Sequence, residues 1–357
     1  MHVLLSTTAF PAQDHYRITE PARAVNEADL GVTATVRRGL ETTVAADPHS
    51  GAPVTVDVED HGADVVVMQL PMTDGMLQCM RLLQARGIAV VVEMDDLLSA
   101  VPVDSPAHRN MTRGGMARRA LACAREADLV TVTTPTLLKE YAPHGRGMVI
   151  PNTIPRRFAE LPPAYEREPE TVVIGWTGSA PSRPYDLRIV GSGLQQALDR
   201  TAGRSRFSIL GQAETAQASL GLREEPAGLP WVTSVEEYTT LLGTSFDVGI
   251  VPLRSDRFNN AKSWLKVVEY AARGVYLVHS PHPEYDLLGI GRRARAPREW
   301  ARHLTTAVDD PAHRREVAEQ NRQVVMENLL TEHVAQWWVD AWDRARDNRA
   351  RAMRIGA

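Results

Sequence analysis

The stretch FDVGIVPLRSDRFNNAKSWLKVVEYAARGVYLVHS, Phe246 to Ser280, decides the fold. It opens on one continuous apolar run and closes on another, and a helical period lies between them. A strand, a helix and a second strand in succession make a parallel βαβ unit whose strands are buried on both faces. The helix of such a unit starts at the carboxyl end of its first strand, which is the ligand side of the sheet. Within RFNNAKSWLKVVEYAARG, Arg257 to Gly274, helical winding places Lys262, Lys266, Glu269 and Arg273 on one stripe. Leu265, Val267, Val268 and Ala272 fall on the other side. Lys262 and Ser263 are expected in the first turn, where a phosphate would meet a cation, a hydroxyl and unpaired N–H groups. Glu269, two turns on, offers acceptor oxygens to a ribose diol. The plain alternative for Lys266 and Glu269 is a solvated surface pair, and their place at a strand end argues against it.

The same alternation runs through the chain on both sides of this unit. TVVIGWTGS from Thr171 and RFSILG from Arg206 read as strands of the same sheet. Earlier, HVLLST from His2, ADVVVMQL from Ala63, AVVVEMDD from Ala89, DLVTVTT from Asp128 and GMVIPN from Gly147 form a first set, with helical stretches between them. Between the sets, PRRFAELPPAYEREPE is rich in proline and charge and has no apolar period, so it reads as a linker. The expected organisation is an α/β chain of two doubly wound, Rossmann-like domains facing a cleft. Residues 1–155 form the first, 156–170 the linker and 171–335 the second. Residues 336–357 form a helix in which Trp338 and Trp342 share one face and dock it.

With 357 residues the chain has room for two such domains. Its formal net charge of −4 provides no basic field for nucleic acid, so that class of partner is excluded. Cys79 and Cys123 have no metal-ligand spacing and read as small buried residues of a reducing compartment. MHVLLSTTAF has no basic flank and too short an apolar run for a signal peptide, and no stretch reaches membrane-spanning length. A cytoplasmic protein without a transmembrane segment is expected.

Three further stretches stand at strand ends. VVIGWTGSAPSRPYDL from Val172 runs a strand into Thr177, Gly178 and Ser179. Small residues there let backbone N–H groups approach an anion; a tight strand-to-helix turn explains them equally well. Asp95 and Asp96 end another strand, one a candidate for substrate and the other for a cap. No histidine or third acid is spaced to complete a metal site with them. In AQDHYRITEPA, Arg17 follows the first strand and is a candidate for a diphosphate or acceptor contact, against the plain reading of a loop arginine. No G-x-S-x-G, H-E-x-x-H or C-x-x-C motif is present.

The order DLVTVTTPTLLKEY…VIPNTI, VIGWTGS, VPLRSDRFNNAKSWLKVVEYAARGVYLVHS resembles the group 1 (family 4-like) glycosyltransferases of GT-B fold, particularly their bacterial and phage branch. YRITEP and VEMDD look like the same branch. The resemblance implies a transferase whose second domain binds a nucleotide-activated sugar, whose first presents the acceptor, and whose C-terminal helix, residues 336–357, crosses back to pack on the first domain. It implies that Glu269 holds the donor ribose and that Lys262 neutralises the diphosphate leaving group. It also places Thr177, Gly178 and Ser179 by the phosphates, with Arg183 as the nearest match to a basic pair after the glycine. Ala261 stands where many relatives carry a second glutamate, and Tyr276 where a proline is usual. The expected activity is sugar transfer from a nucleotide diphosphate to an acceptor hydroxyl of a glycan, lipid, protein or small molecule. Retention, no obligatory metal and no cofactor beyond the nucleotide sugar are expected. Lys262 and Asp95 are the expected catalytic residues; Thr177, Gly178, Ser179, Arg183, Lys262, Ser263, Lys266 and Glu269 bind the donor; Arg17 and Asp96 are further contacts. The rival readings are a sugar-nucleotide epimerase of the same fold and a GT-B-like binding or structural protein without catalysis.

Overall fold

The structure, a computed structural model, describes residues 1–7 and 11–356. The chain divides into two units. Met1–Asn152, Ala261–Ser263 and Thr331–Ala357 form the first, and Thr153–Asn260 and Trp264–Leu330 form the second.

The first unit is built on a six-stranded sheet whose neighbours all run parallel. Its strands are β1 (His2–Thr7), β2 (Thr33–Arg38), β5 (Val65–Gln69), β6 (Ala89–Met94), β7 (Leu129–Val132) and β8 (Gly147–Val149). They lie in the order β2-β1-β5-β6-β7-β8, and β3 (Thr42–Ala46) and β4 (Pro53–Val58) form a separate antiparallel pair. β5 and β6 are buried at every residue, as continuous valine runs require. Alternate residues divide between two cores, because successive side chains leave a strand on opposite faces. Leu4, Val66, Val90 and Val92 pack with Cys79, Met80, Leu83 and Cys123 on one face. Val3, Leu5, Val65, Val67 and Val91 pack with Ile18, Val25, Trp338 and Trp342 on the other. The helix Ala335–Gly356 therefore covers the first unit's sheet, and the chain enters that unit from Thr331, a few residues before the expected boundary. Both cysteines are free and buried, and burial pushes the Cys123 thiol up to about 12.

The second unit's sheet has the strands β9 (Val172–Ser179), β10 (Ser205–Gln212), β11 (Ala227–Leu229), β12 (Val248–Val251), β13 (Tyr276–His279) and β14 (Arg292–Arg293). Their order is β11-β10-β9-β12-β13-β14, the 3-2-1-4-5-6 arrangement of a doubly wound Rossmann sheet, again parallel throughout. The strand order reverses between β9 and β12. These two strands pair only at Ile174–Val248 and Gly175–Gly249, whereas β9 stays paired with β10 to its last residue. A gap thus opens beside Trp176–Ser179, at the point where such sheets bind ligands.

Residues 156–170, read as a linker, belong to the second unit. Arg156–Ala159 is a helical turn, and Phe158, Ala159 and Ala164 are buried in the second unit. Prolines and turns leave the backbone carbonyls here without ladder partners. Arginine, with several N–H donors in a planar fork and no acceptor, takes them up. Arg273 donates to the carbonyls of Phe158, Leu161 and Pro162 at 3.0–3.2 Å, and to that of Thr239 at 3.0 Å. Arg322 donates to the Ala159 carbonyl, and Arg167 to those of Thr244 and Phe246, with the buried Asp247 carboxylate as its ion-pair partner.

Candidate functional site

At the gap in the second sheet, Thr177, Gly178 and Ser179 are the last residues of β9 itself, not a turn after it. Their glycine has a backbone reason. Gly178 (φ +139°) pairs with Gly211 (φ +132°) of β10, and a Cβ on Gly211 would lie 2.3 Å from the Gly178 carbonyl oxygen. The helix that follows, Pro184–Arg188, is short, so a strand running straight into a long helix dipole is not what these residues form. Arg183 precedes it, 3.8 Å from Asp186 and over the Phe258 ring. Asp186 accepts from the backbone N–H of Arg254 and the amide of Asn259, both at 2.9 Å, and so shapes the segment leading from β12. Burial pushes its carboxyl above the usual range.

The decisive helix spans Leu265–Ala272, with Trp264 at its N-cap position. Lys262 and Ser263 therefore precede it and do not occupy its first turn. Their groups are engaged elsewhere: the Ala261 carbonyl accepts from the Thr134 hydroxyl (3.0 Å), Lys262 Nζ donates to Asp96 (2.7 Å), and the Ser263 hydroxyl accepts from Asn152 (2.7 Å). Arg273, expected on the same charged stripe, is buried against the carbonyls described above.

Lys266 and Glu269 remain on the helix, half-buried. Lys266 Nζ donates to the Thr177 carbonyl (2.7 Å) and stands 5.2 Å from the centre of the Trp176 ring, a cation–π distance. Glu269 Oε2 accepts from the Tyr238 hydroxyl (3.1 Å), which lies 3.3 Å from the Thr177 hydroxyl. Tyr238 sits on the helix Val235–Ser245, which Ser234 caps by accepting from the Glu237 N–H. Burial, and then the Glu269 charge, hold the Tyr238 phenol well above its ordinary value. The structure thus brings together Thr177, Lys266 and Glu269 and adds Tyr238, which the sequence reading missed. Its signal was available: Tyr238 lies three residues after Val235 and four before Leu242, on the apolar stripe, where a phenol must find a partner.

In the first unit, Asp95 and Asp96 lie just beyond β6. Asp95 accepts from Gln13 (3.1 Å), and its carboxyl is pushed up to about 7 by burial, then by Asp96 and Glu93, against the pull of Arg17 and Lys262. Arg17 lies inside the first unit, not on an exposed loop. It is 1% exposed, with Nε on Glu93 (2.7 Å) and Nη1 on the Ile150 carbonyl (2.8 Å) and Asn152 (3.2 Å), and it lies over the Trp338 ring. The buried Glu93 carboxylate is thus the ion-pair partner of this arginine. Among the described residues no cluster of three histidine, cysteine or acidic side chains is placed to hold a metal. Among them, too, no helix is long and apolar enough to cross a membrane.

The chain matches no family model and no curated protein. Its fold is matched among solved structures. A glycosyltransferase from Rickettsia africae ESF-5 superposes with a TM-score of 0.63 at 11% identity, over 96% of this chain and 98% of that one. WaaG, a glycosyltransferase involved in lipopolysaccharide biosynthesis, gives 0.60 at 14% identity over 94% and 98%. Anabaena HepE in complex with UDP-glucose gives 0.60 at 13% identity over 96% and 99%. At such identities the likeness is one of fold, and with the two six-stranded parallel sheets it makes this chain a two-domain, Rossmann-like GT-B fold.

Proposed function

We propose that the chain is a glycosyltransferase that moves a sugar from a nucleotide diphosphate to an acceptor hydroxyl, with retention and without an obligatory metal. The observation that carries this reading is the set Thr177, Tyr238, Lys266 and Glu269 at the switch point of a 3-2-1-4-5-6 sheet. The likeness to HepE, solved in complex with UDP-glucose, supports it. Glu269 accepts from the donor ribose, and Lys266, Arg183 and the end of β9 at Thr177–Ser179 serve the phosphates. Lys262 and Ser263, just ahead of the helix, complete the donor set; Lys262 exchanges its Asp96 partner for the leaving diphosphate. Asp95 and Asp96 take the acceptor, Asp95 accepting the hydrogen bond of the attacking hydroxyl. The bond from the sugar's anomeric carbon to phosphate breaks, the bond to the acceptor oxygen forms on the same face, and the acceptor proton leaves with the diphosphate. The protein's work is to stabilise the negative charge that develops on that diphosphate. Two buried free thiols fit a cytoplasmic enzyme.

Thermal unfolding with UDP, GDP, dTDP and ADP in turn tests the reading. A nucleotide at a hundred times its dissociation constant adds about 2.7 kcal/mol and raises the midpoint. Turnover of the matching sugar nucleotide then decides the reaction: transfer to an acceptor supports the proposal, and an epimerised donor or binding without turnover replaces it.

A further inference from the structure

We infer that Tyr238 is a positioning residue for nucleotide recognition: its hydroxyl fixes the Glu269 carboxylate and ties it to the end of β9 through Thr177. The inference rests on the reading of Glu269 as the ribose acceptor. It starts from hydrogen-bond directions. A carboxylate only accepts, and a phenol has a single proton. Tyr238 therefore donates to Glu269 Oε2 (3.1 Å) and must accept at its own oxygen from the Thr177 hydroxyl (3.3 Å). The order Thr177 to Tyr238 to Glu269 is fixed by valence alone. Thr177 is 3% exposed, so its hydroxyl needs a partner inside the protein, and its carbonyl is taken by Lys266. One residue of β9 is thereby bound through its side chain to the helix Val235–Ser245 and through its backbone to the helix Leu265–Ala272.

The phenol keeps its proton at any working pH, because burial and the Glu269 charge both oppose its loss. Glu269 accepts the hydrogen bond of the phenol at Oε2. Held at one oxygen, it presents a set plane to a ligand, and a set plane can accept both hydroxyls of a cis-diol together. A 2′-deoxyribose has only one of them to offer. The consequence is selective: Tyr238 matters for telling ribose from deoxyribose more than for binding a nucleotide at all.

The test is calorimetric titration of the wild-type chain and Tyr238→Phe with UDP and 2′-deoxy-UDP, and with the corresponding guanine and adenine pairs. The phenylalanine keeps the ring and removes only the hydroxyl. The wild type is expected to bind one ribonucleotide about tenfold or more tighter than its deoxy form, the size of a hydrogen bond to a charged group. In Tyr238→Phe that ratio falls to about threefold or less while the affinity for the deoxy form barely changes. Thr177→Val, which removes the donor behind the phenol, shifts the ratio in the same direction by less. A ratio unchanged in Tyr238→Phe overturns the inference, and so does an equal loss for both sugars, which is what a purely structural tyrosine would give. A wild-type chain that binds none of the nucleotides instead overturns the donor reading itself, and Tyr238's role with it.

Discussion

Asp95 is held between two other carboxylates, Glu93 and Asp96, with Arg17 and Lys262 as the cations opposing them. Its folded pKa, about 7, lies above the 3.8 of an ordinary aspartate. The folded protein therefore keeps a proton there that the unfolded chain has already lost. Stability falls as pH rises from about 4 to 7 and is level with respect to this group above that. Asp95→Asn should flatten that slope and raise the melting midpoint at pH 8 relative to wild type, while leaving it close to wild type at pH 4; paired thermal scans check it. Glu269→Ala should abolish transfer and nucleotide stabilisation with the fold intact, and an unchanged rate would return Glu269 to the role of a surface acid. At this scale the sequence pointed to Lys266 and Glu269, and the structure places them on the Thr177 carbonyl and the Tyr238 hydroxyl. The burial of Arg17 was not legible, because its partner Glu93 lies 76 residues away and no local pattern records that contact. The sequence reading also wound Lys262 into the helix, since nothing near Lys262 announces that Asp96, 166 residues distant, would take its ammonium.

Among the elements, the buried strands and the short β8 were legible, and β3, β11 and β14 were not. β5, β6, β9, β12 and β13 are continuous apolar runs, and each was read in its place. β3 is exposed at every residue, β11 has three residues and β14 two, so none has the burial that writes a pattern into sequence. The segment 156–170 was illegible for another reason. Its carbonyls are satisfied by arginines from distant parts of the chain that donate to them, and only its own prolines show locally. The glycines of β9 and β10 make a prediction at this scale. Gly211→Ala places a Cβ against the Gly178 carbonyl in a backbone conformation that disfavours side chains. It should destabilise the second unit by about 3 kcal/mol, read as a lower midpoint in urea. Gly203→Ala, also at positive φ but with open space around it, should lose only about 1 kcal/mol.

For the whole molecule, two Rossmann-like units were legible from the alternation of strands and helices, and a C-terminal helix docked by tryptophans was legible from its spacing. The return of the C-terminal helix to the first unit was expected from the family resemblance; what was not legible is that Ala261–Ser263 belongs to that unit too. Trp338 and Trp342 are buried against Leu5, Val67 and Val91, so Trp338→Ala should lose about 3–5 kcal/mol of that unit's stability, as chemical denaturation would report. The same arrangement bears on how the protein is made. A ribosome releases the strands of the first sheet early, but the tryptophans that cover one face of it follow only after the strands of the second unit. Through that interval Val3, Leu5, Val65 and Val67 have only early residues such as Ile18 and Val25 over them. A chaperone that shields that valine face until the helix Ala335–Gly356 arrives would raise the yield of folded protein.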